Sequence, residues 1–489
     1  MDQLHQLVDS LTQSEKRYFA RLSLAHQSSG KYLELFHHIV DSKKYNEKAC
    51  RQKFGERHFA QLKQQLQHKI LETMRAYHFK TLPQNQINAH IQNYRLLKNK
   101  ELWNHANKEL NQAHRKATAN DRYPEAVAIF HEQTRLLART TNKTAIQDHL
   151  NRWDQRVHEI LEQQSIELAY EKLYLEVTLL NDKLEGTRNA EEYHQVRNFL
   201  ENQLLSSQEN ARTSQSKILR HFVLGTAQYL IGDYGNSYKN MFQAGSILEV
   251  NKGLLANRED LYIRIMANQV LTNIKAGKCS DAEIHLVTLE EYNASTKSLN
   301  QYRNYISYLL RLMLLNTSLQ YEKALAMIRK NENWVTDHEN NIIKQGVLPQ
   351  EQFYSIFQKA TALMGSGEYN QTKKIILAFL NTNKNQLKEE ALYMIRIFYL
   401  IILLELEDEM LLRSELQSLR RALVKAKRRF QFEKTILTFV KRMEIKNTSS
   451  AVKLHYKRLA DELKLLKTVP FEKNVFFYFD FESWAKEKL

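Results

Sequence analysis

Imidazole is the side chain that most often holds zinc or moves protons near neutral pH, and this chain of 489 residues has 18 histidines. Two of them three or four positions apart on a helix would form half of a metal site or carboxylate-bridged centre. No pair has that spacing, and His37 and His38, being adjacent, diverge on a helix. Cys50 and Cys279 are isolated, without the spacing of a metal knuckle or a disulfide framework. Gly365-Ser366-Gly367 lacks the Gly-Lys-Ser/Thr that completes a phosphate loop, and no serine sits in a nucleophile elbow. Glu405, Glu407, Asp408 and Glu409 have the pattern of a turn at a helix end. No catalytic constellation, metal site or cofactor site is therefore expected, and the chain does not read as an enzyme.

Charge is the remaining chemical resource. The net charge of +16 is concentrated in residues 1–120 and 411–467, which carry +10 and +11, leaving −5 for the rest. Such ends attract anionic partners at long range, and they also arise from ordinary solvated helix faces. Arg421, Lys425 and Arg428 line the polar side of a predicted helix whose apolar seam is Leu416, Leu419, Leu423, Ala426 and Phe430. Lys48, Arg51 and Lys53 lie in a short basic segment after a predicted helix over 31–40. This is the one place where a helix-turn-helix reading, and hence nucleic acid as a partner, has some shape.

The elements that carry these residues read as helices throughout. Average usage would give roughly 34 glycines and 24 prolines, whereas the chain has 12 and 4. Sheets need turn residues that are missing here. Apolar stripes at helical spacing recur, for example Tyr32, Leu35, Phe36 and Ile39, then Phe59, Leu62, Leu66 and Ile70, then Ile146, Leu150, Trp153, Val157 and Ile160. The longest apolar run, Ile397 to Leu404, is far short of the roughly 20 residues that span a bilayer. No apolar core follows Met1-Asp2-Gln3, so neither a secretory signal nor a membrane partner is expected. The cytoplasm is the expected location.

From Ile218 to Leu248 the pattern becomes specific. Helix, a Gly232-Asp233-Tyr234 turn and helix follow one another, with small residues Gly225, Ser237, Ala244 and Gly245 where two axes would cross. This stretch resembles a tetratricopeptide repeat through Leu224-Gly225, the Gly-Asp-Tyr turn and Ala244. It departs from that pattern at His221 and Gln228, where the repeat has aromatics, and at Ser237 and Met241, which replace Ala and Phe. Further turns anchor at Gly277, Leu319 and Gly367, successively 45, 42 and 48 residues on, longer than the 34 of the repeat family.

The resemblance implies an all-α fold: a right-handed solenoid of antiparallel helical hairpins, tetratricopeptide-like. It divides into an N-terminal helical unit (1–83), helical hairpins (84–165), repeats (166–410), and basic helices with an aromatic C-terminal cap (411–489). In that cap Phe477, Phe481 and Trp484 have helical spacing, with Phe471, Phe476, Tyr478 and Phe479 around them, so either a cap on the last repeat or a docking peptide is expected. The arrangement also resembles uncharacterised bacterial helical-repeat proteins. In the repeat family the inward face of each first helix binds ligands. The corresponding positions here are Phe222, Thr226 and Tyr229; Ala267, Leu271 and Ile274; Leu309, Met313 and Asn316; and Phe357, Thr361 and Met364. Almost all are apolar, which disfavours a carboxylate clamp. The expectation is a non-catalytic scaffold that binds a protein or peptide, with a transcriptional regulator carrying an N-terminal helix-turn-helix as the alternative.

Overall fold

The computed structural model describes residues 2–25, 30–42, 46–79, 83–139, 142–344, 349–383, 389–444 and 448–489. The described residues are 83% helix, in 26 α-helices that pack against their neighbours, with no strand among them. No helix there is long and apolar enough to cross a membrane.

One turn joins the helices again and again. At Glu101, Asp121, Gly232, Gly277, Leu319, Gly367, Glu407 and Lys427 φ lies between 51° and 77°. At each, the next N–H donates to the carbonyl five residues back, as Asp233 to Gln228 and Glu368 to Leu363, at 2.8–3.1 Å. This is the Schellman closure, which satisfies carbonyls left open at a helix end. Five of the eight left-handed positions are not glycine, each at a cost of about 1–2 kcal/mol. Glycine-anchored reading therefore finds the turns at 232, 277 and 367, the acidic run marks the one at Glu407, and those at Asp121 and Lys427 carry no such signal.

Gly225 and Ser237 act as anticipated, whereas Gly245 faces Gln269 and Ile265 of the next helix, Glu259–Lys275. A Cβ on Gly225 would stand 2.9 Å from Met241 Cε, and the Ser237 hydroxyl donates to the Gly225 carbonyl at 2.7 Å. Helices Ser214–Leu230 and Tyr234–Val250 thus meet backbone to backbone. The same device recurs at Ala106, Ala113 and Ala117, all without solvent exposure, in helix Trp103–Ala119. Five N-terminal helices close separately around Phe19, Phe36, Phe59 and Leu66.

Several sequence expectations need correction. The stripe Ile146 to Ile160 is not one helix: Lys143–Asn151 ends before Trp153–Lys183 begins, and Leu150 is exposed. Helix Trp153–Lys183 runs through residue 165, while residue 410 falls in the first turn of helix Glu409–Lys425. The seam from Leu416 stops at Lys425, because Lys427 turns left-handed and Phe430 caps the following helix, Gln431–Met443.

In the tail, residues 473–477 form a 3₁₀ turn and Phe481–Lys486 a short helix capped by Asp480, rather than one helix. The side chain of Phe477 lies outside the described residues. Val475, Phe479, Phe481 and Trp484 are buried in the same core as Phe398, Phe432 and Tyr456. The Trp484 indole N–H donates to Glu405 at 2.7 Å.

Candidate functional site

Seven helices, Trp153–Lys183, Ser214–Leu230, Tyr234–Val250, Glu259–Lys275, Lys297–Thr317, Pro349–Gly365 and Glu389–Glu405, line a cavity of about 390 Å³ together with residues 185–188 and the tail. Helix Glu259–Lys275 contributes Arg264, Ala267, Asn268, Leu271 and Lys275, spaced 3, 1, 3 and 4, which is one helix face. Ser214–Leu230 contributes Phe222, Thr226 and Tyr229; Lys297–Thr317 contributes Tyr302, Ile306, Leu309 and Met313; Pro349–Gly365 contributes Tyr354, Phe357 and Gln358. Asn474 and Tyr478 enter from the tail. The volume lies in the range of ligand pockets, and so does the balance of many apolar walls with a few polar groups.

Of the twelve inward positions expected from the repeat register, eight line this cavity: Phe222, Thr226, Tyr229, Ala267, Leu271, Leu309, Met313 and Phe357. The other four sit nearer the helix C-termini, beneath neighbouring helices. Ile274 and Met364 are core residues. Asn316 donates to the Gln358 carbonyl and side chain, both at 2.9 Å, and the Thr361 hydroxyl donates to the Phe357 carbonyl at 2.9 Å. Both serve packing. Arg264, Asn268 and Lys275 share the face of Ala267 and Leu271 and could have been read from that spacing; the expectation of an apolar wall obscured them. Tyr478 and Asn474 carried no such signal, since the tail reaches the cavity by long-range folding.

The tail lies in this space as a bound segment would. Asn474 donates through Nδ2 to the Thr187 carbonyl at 3.3 Å and accepts from the Tyr234 hydroxyl at 2.8 Å. The Lys473 ammonium donates to the Gly232 carbonyl at 3.1 Å, and the Tyr478 hydroxyl donates to Glu185. Burial raises the phenols of Tyr229, Tyr234 and Tyr478 well above their ordinary range, so all three stay neutral donors. At the other end the Arg264 guanidinium donates to the Tyr174 hydroxyl at 2.5 Å and lies over the Phe222 ring.

Lys275 stands at the tail end of the cavity, its ammonium 6.0 Å from the centre of the Tyr478 ring. Burial pushes it down to about 7, against a smaller upward pull from Glu185. The folded protein then releases this proton near pH 7 while the unfolded chain holds it to 10.5. Stability therefore rises with pH across that window, and the full cost applies below pH 7. Lys275→Met, which keeps the apolar stem, is expected to stabilise the protein on the order of 2–4 kcal/mol at pH 6, after discounting for the part of the side chain open to the cavity. Melting curves should converge by about pH 10.5, where both states of the parent are neutral. An equal gain at every pH would refute the assignment.

The basic residues are placed unequally. Arg421 and Lys425 are exposed on helix Glu409–Lys425. Arg428 is not part of that open face: it follows the left-handed Lys427 and pairs with Glu390 at 2.6 Å and Glu192 at 3.3 Å. Lys48, Arg51 and Lys53 are exposed on helix Glu47–Phe54, with Arg51 paired to Glu47 at 2.8 Å; residues 43–45 of the intervening turn lie outside the described residues. Among the described residues no group of His, Cys, Asp and Glu could hold a metal ion. Comparison with protein-family models, with curated proteins and with solved structures returns no match.

Proposed function

We propose that the chain is a non-catalytic helical-repeat scaffold whose inner groove holds a peptide segment of a protein partner. Its repeats would stack as a right-handed, tetratricopeptide-like solenoid of antiparallel hairpins, and the cytoplasm would be its location. The observation that carries this reading is the tail: a polypeptide segment, 473–478, occupies one end of the cavity through hydrogen bonds to the carbonyls of Thr187 and Gly232. Both bonds are donated by side chains of the tail, Asn474 and Lys473, so a partner segment would be selected by its polar side chains at these carbonyls and by its apolar ones along the neighbouring walls. Exposed Arg421 and Lys425 would add long-range attraction for an acidic partner.

A second reading rests on exposed Lys48, Arg51 and Lys53 beside helix Lys31–Asp41, a pair that could present a basic helix to DNA. One experiment separates the two. The purified chain is challenged with a peptide library and with a pool of duplex DNA, each also against two variants: Ala267→Trp with Leu271→Trp, which fills the groove, and Lys48, Arg51 and Lys53 changed together to Ala. The scaffold reading expects peptides retained by the parent and lost about tenfold or more in the groove variant alone. DNA should bind without sequence preference and be largely lost at physiological salt. A salt-resistant preference for one DNA sequence, abolished only by the basic-helix variant, would replace it with the regulator.

A further inference from the structure

The 31-residue helix Trp153–Lys183 buries Tyr170, Leu173, Val177 and Leu180 on one side. On the opposite side Leu161, Leu168, Leu175 and Leu179 are 52%, 58%, 61% and 70% exposed. Scattered surface leucines are ordinary, but these are aligned. Seven residues advance an α-helix by two turns less about 20°, so Leu161, Leu168 and Leu175 form a narrow stripe, and Leu179 returns to the angle of Leu161. A seven-residue apolar repeat is the seam of a helix that pairs with another helix.

We propose that this stripe is a homodimer interface, in which the helix pairs antiparallel with the same helix of a second copy. A two-fold axis makes one stripe complementary to itself, so no further partner need be assumed. Charge sets the direction. A parallel pair would bring Lys172, which lies within the stripe, against Lys172 of the other copy, and Lys183 against Lys183. Antiparallel pairing that matches Leu161 with Leu179 lays Leu168 on the aliphatic stem of Lys172 and Leu175 beside the small Ser165. It also sets exposed Asp154 alongside exposed Lys183 at both ends. The helix is about 46 Å long, and one narrow seam covers less than the roughly 800 Å² per partner of a standard interface. A seam this small suits a weak, reversible dimer.

Sedimentation of the full chain from about 1 to 100 µM should show reversible dimerisation in that range. Leu168→Lys with Leu175→Lys should weaken it about a hundredfold or more, since the new ammonium at position 168 would meet Lys172 of the other copy. Helicity and melting should hold, because both side chains are already exposed. Oxidation of a mixture of Leu161→Cys and Leu179→Cys chains should link the two kinds to each other. A chain that stays monomeric at about 100 µM, a dimer indifferent to the double Lys variant, or Leu161→Cys chains that link mainly to themselves would each overturn the proposal. The helix also lines the peptide groove through Thr178 and Asn181, which none of these variants changes, so dimerisation and peptide binding are read separately.

Discussion

Arg188→Met is expected to lower stability by about 3–5 kcal/mol, read as a shift of the urea midpoint at unchanged slope. The guanidinium is 2% exposed and uses four bonds at once. It donates to Glu390, to Glu433 at 2.8 Å, to Glu472 at 3.2 Å and to the Phe471 carbonyl at 3.1 Å, with the Phe430 ring 5.0 Å away. These partners come from the start of helix Glu389–Glu405, the start of Gln431–Met443 and the tail, so one side chain ties residue 188 to segments more than 200 positions away. Removing the cation leaves three buried carboxylates, of which Glu390 keeps Arg428 and Glu472 keeps the backbone N–H groups of Gln431 and Phe432, and a buried charge short of its counter-ion is far more costly than the pair is favourable.

Acid should soften the Arg188→Met loss, since the stranded carboxylates can take up protons. Arg188→Lys should fall between parent and Met, keeping the charge and losing the fork. Glu433→Gln should behave oppositely to Arg188→Met. Burial raises the Glu433 carboxyl to about 7, above its ordinary 4.5, despite Arg188 beside it. The folded state therefore holds a proton that the unfolded chain has lost between those values, and ionising it costs stability as pH rises through 7. The Gln variant should match the parent below about pH 4.5 and exceed it above 7. A stability loss for Arg188→Met under 1 kcal/mol, or a Glu433→Gln gain confined to acid, would contradict this account.

The network could not be read from sequence, and the reason is general. Helix identity rests on contacts three and four residues apart, which composition and periodicity record. Gly225, Ser237 and Ala244 were legible because close helix crossing constrains residue size locally. The inward register of Phe222, Thr226, Tyr229, Leu271 and Phe357 followed from that turn. Arg188, Glu390, Glu433 and Glu472 share no spacing and look like four ordinary solvated charges until the chain closes on itself. Arg428 illustrates the same limit: it continues a basic pattern in sequence, but the left-handed Lys427 redirects it inward. The leucine stripe failed differently. On a helix apolar on two opposite sides the periodic signal cancels, so an exposed seam and a buried one are indistinguishable.

Deleting residues 470–489 is expected to have the largest effect of all. Phe479, Phe481 and Trp484 pack ring to ring against Phe398, Phe432 and Tyr456 with centroids 5.0, 5.1 and 5.6 Å apart. Burial of each is worth about 1.5–3 kcal/mol, and Val475 and the Arg188–Glu472 pair go with them. The loss approaches the whole stability of an ordinary domain, about 5–15 kcal/mol. The truncated chain should therefore lose packing across 389–466 and associate through the exposed aromatic face. Because a chain that fails to fold reports little, Trp484→Ala supplies the graded test. It empties one pocket and takes one donor from Glu405, which keeps Lys488 at 2.7 Å, and should cost about 3–5 kcal/mol. If the tail instead merely docked to another protein, both variants would melt like the parent and lose only a partner. Unchanged melting of the truncated chain would thus decide against a structural cap.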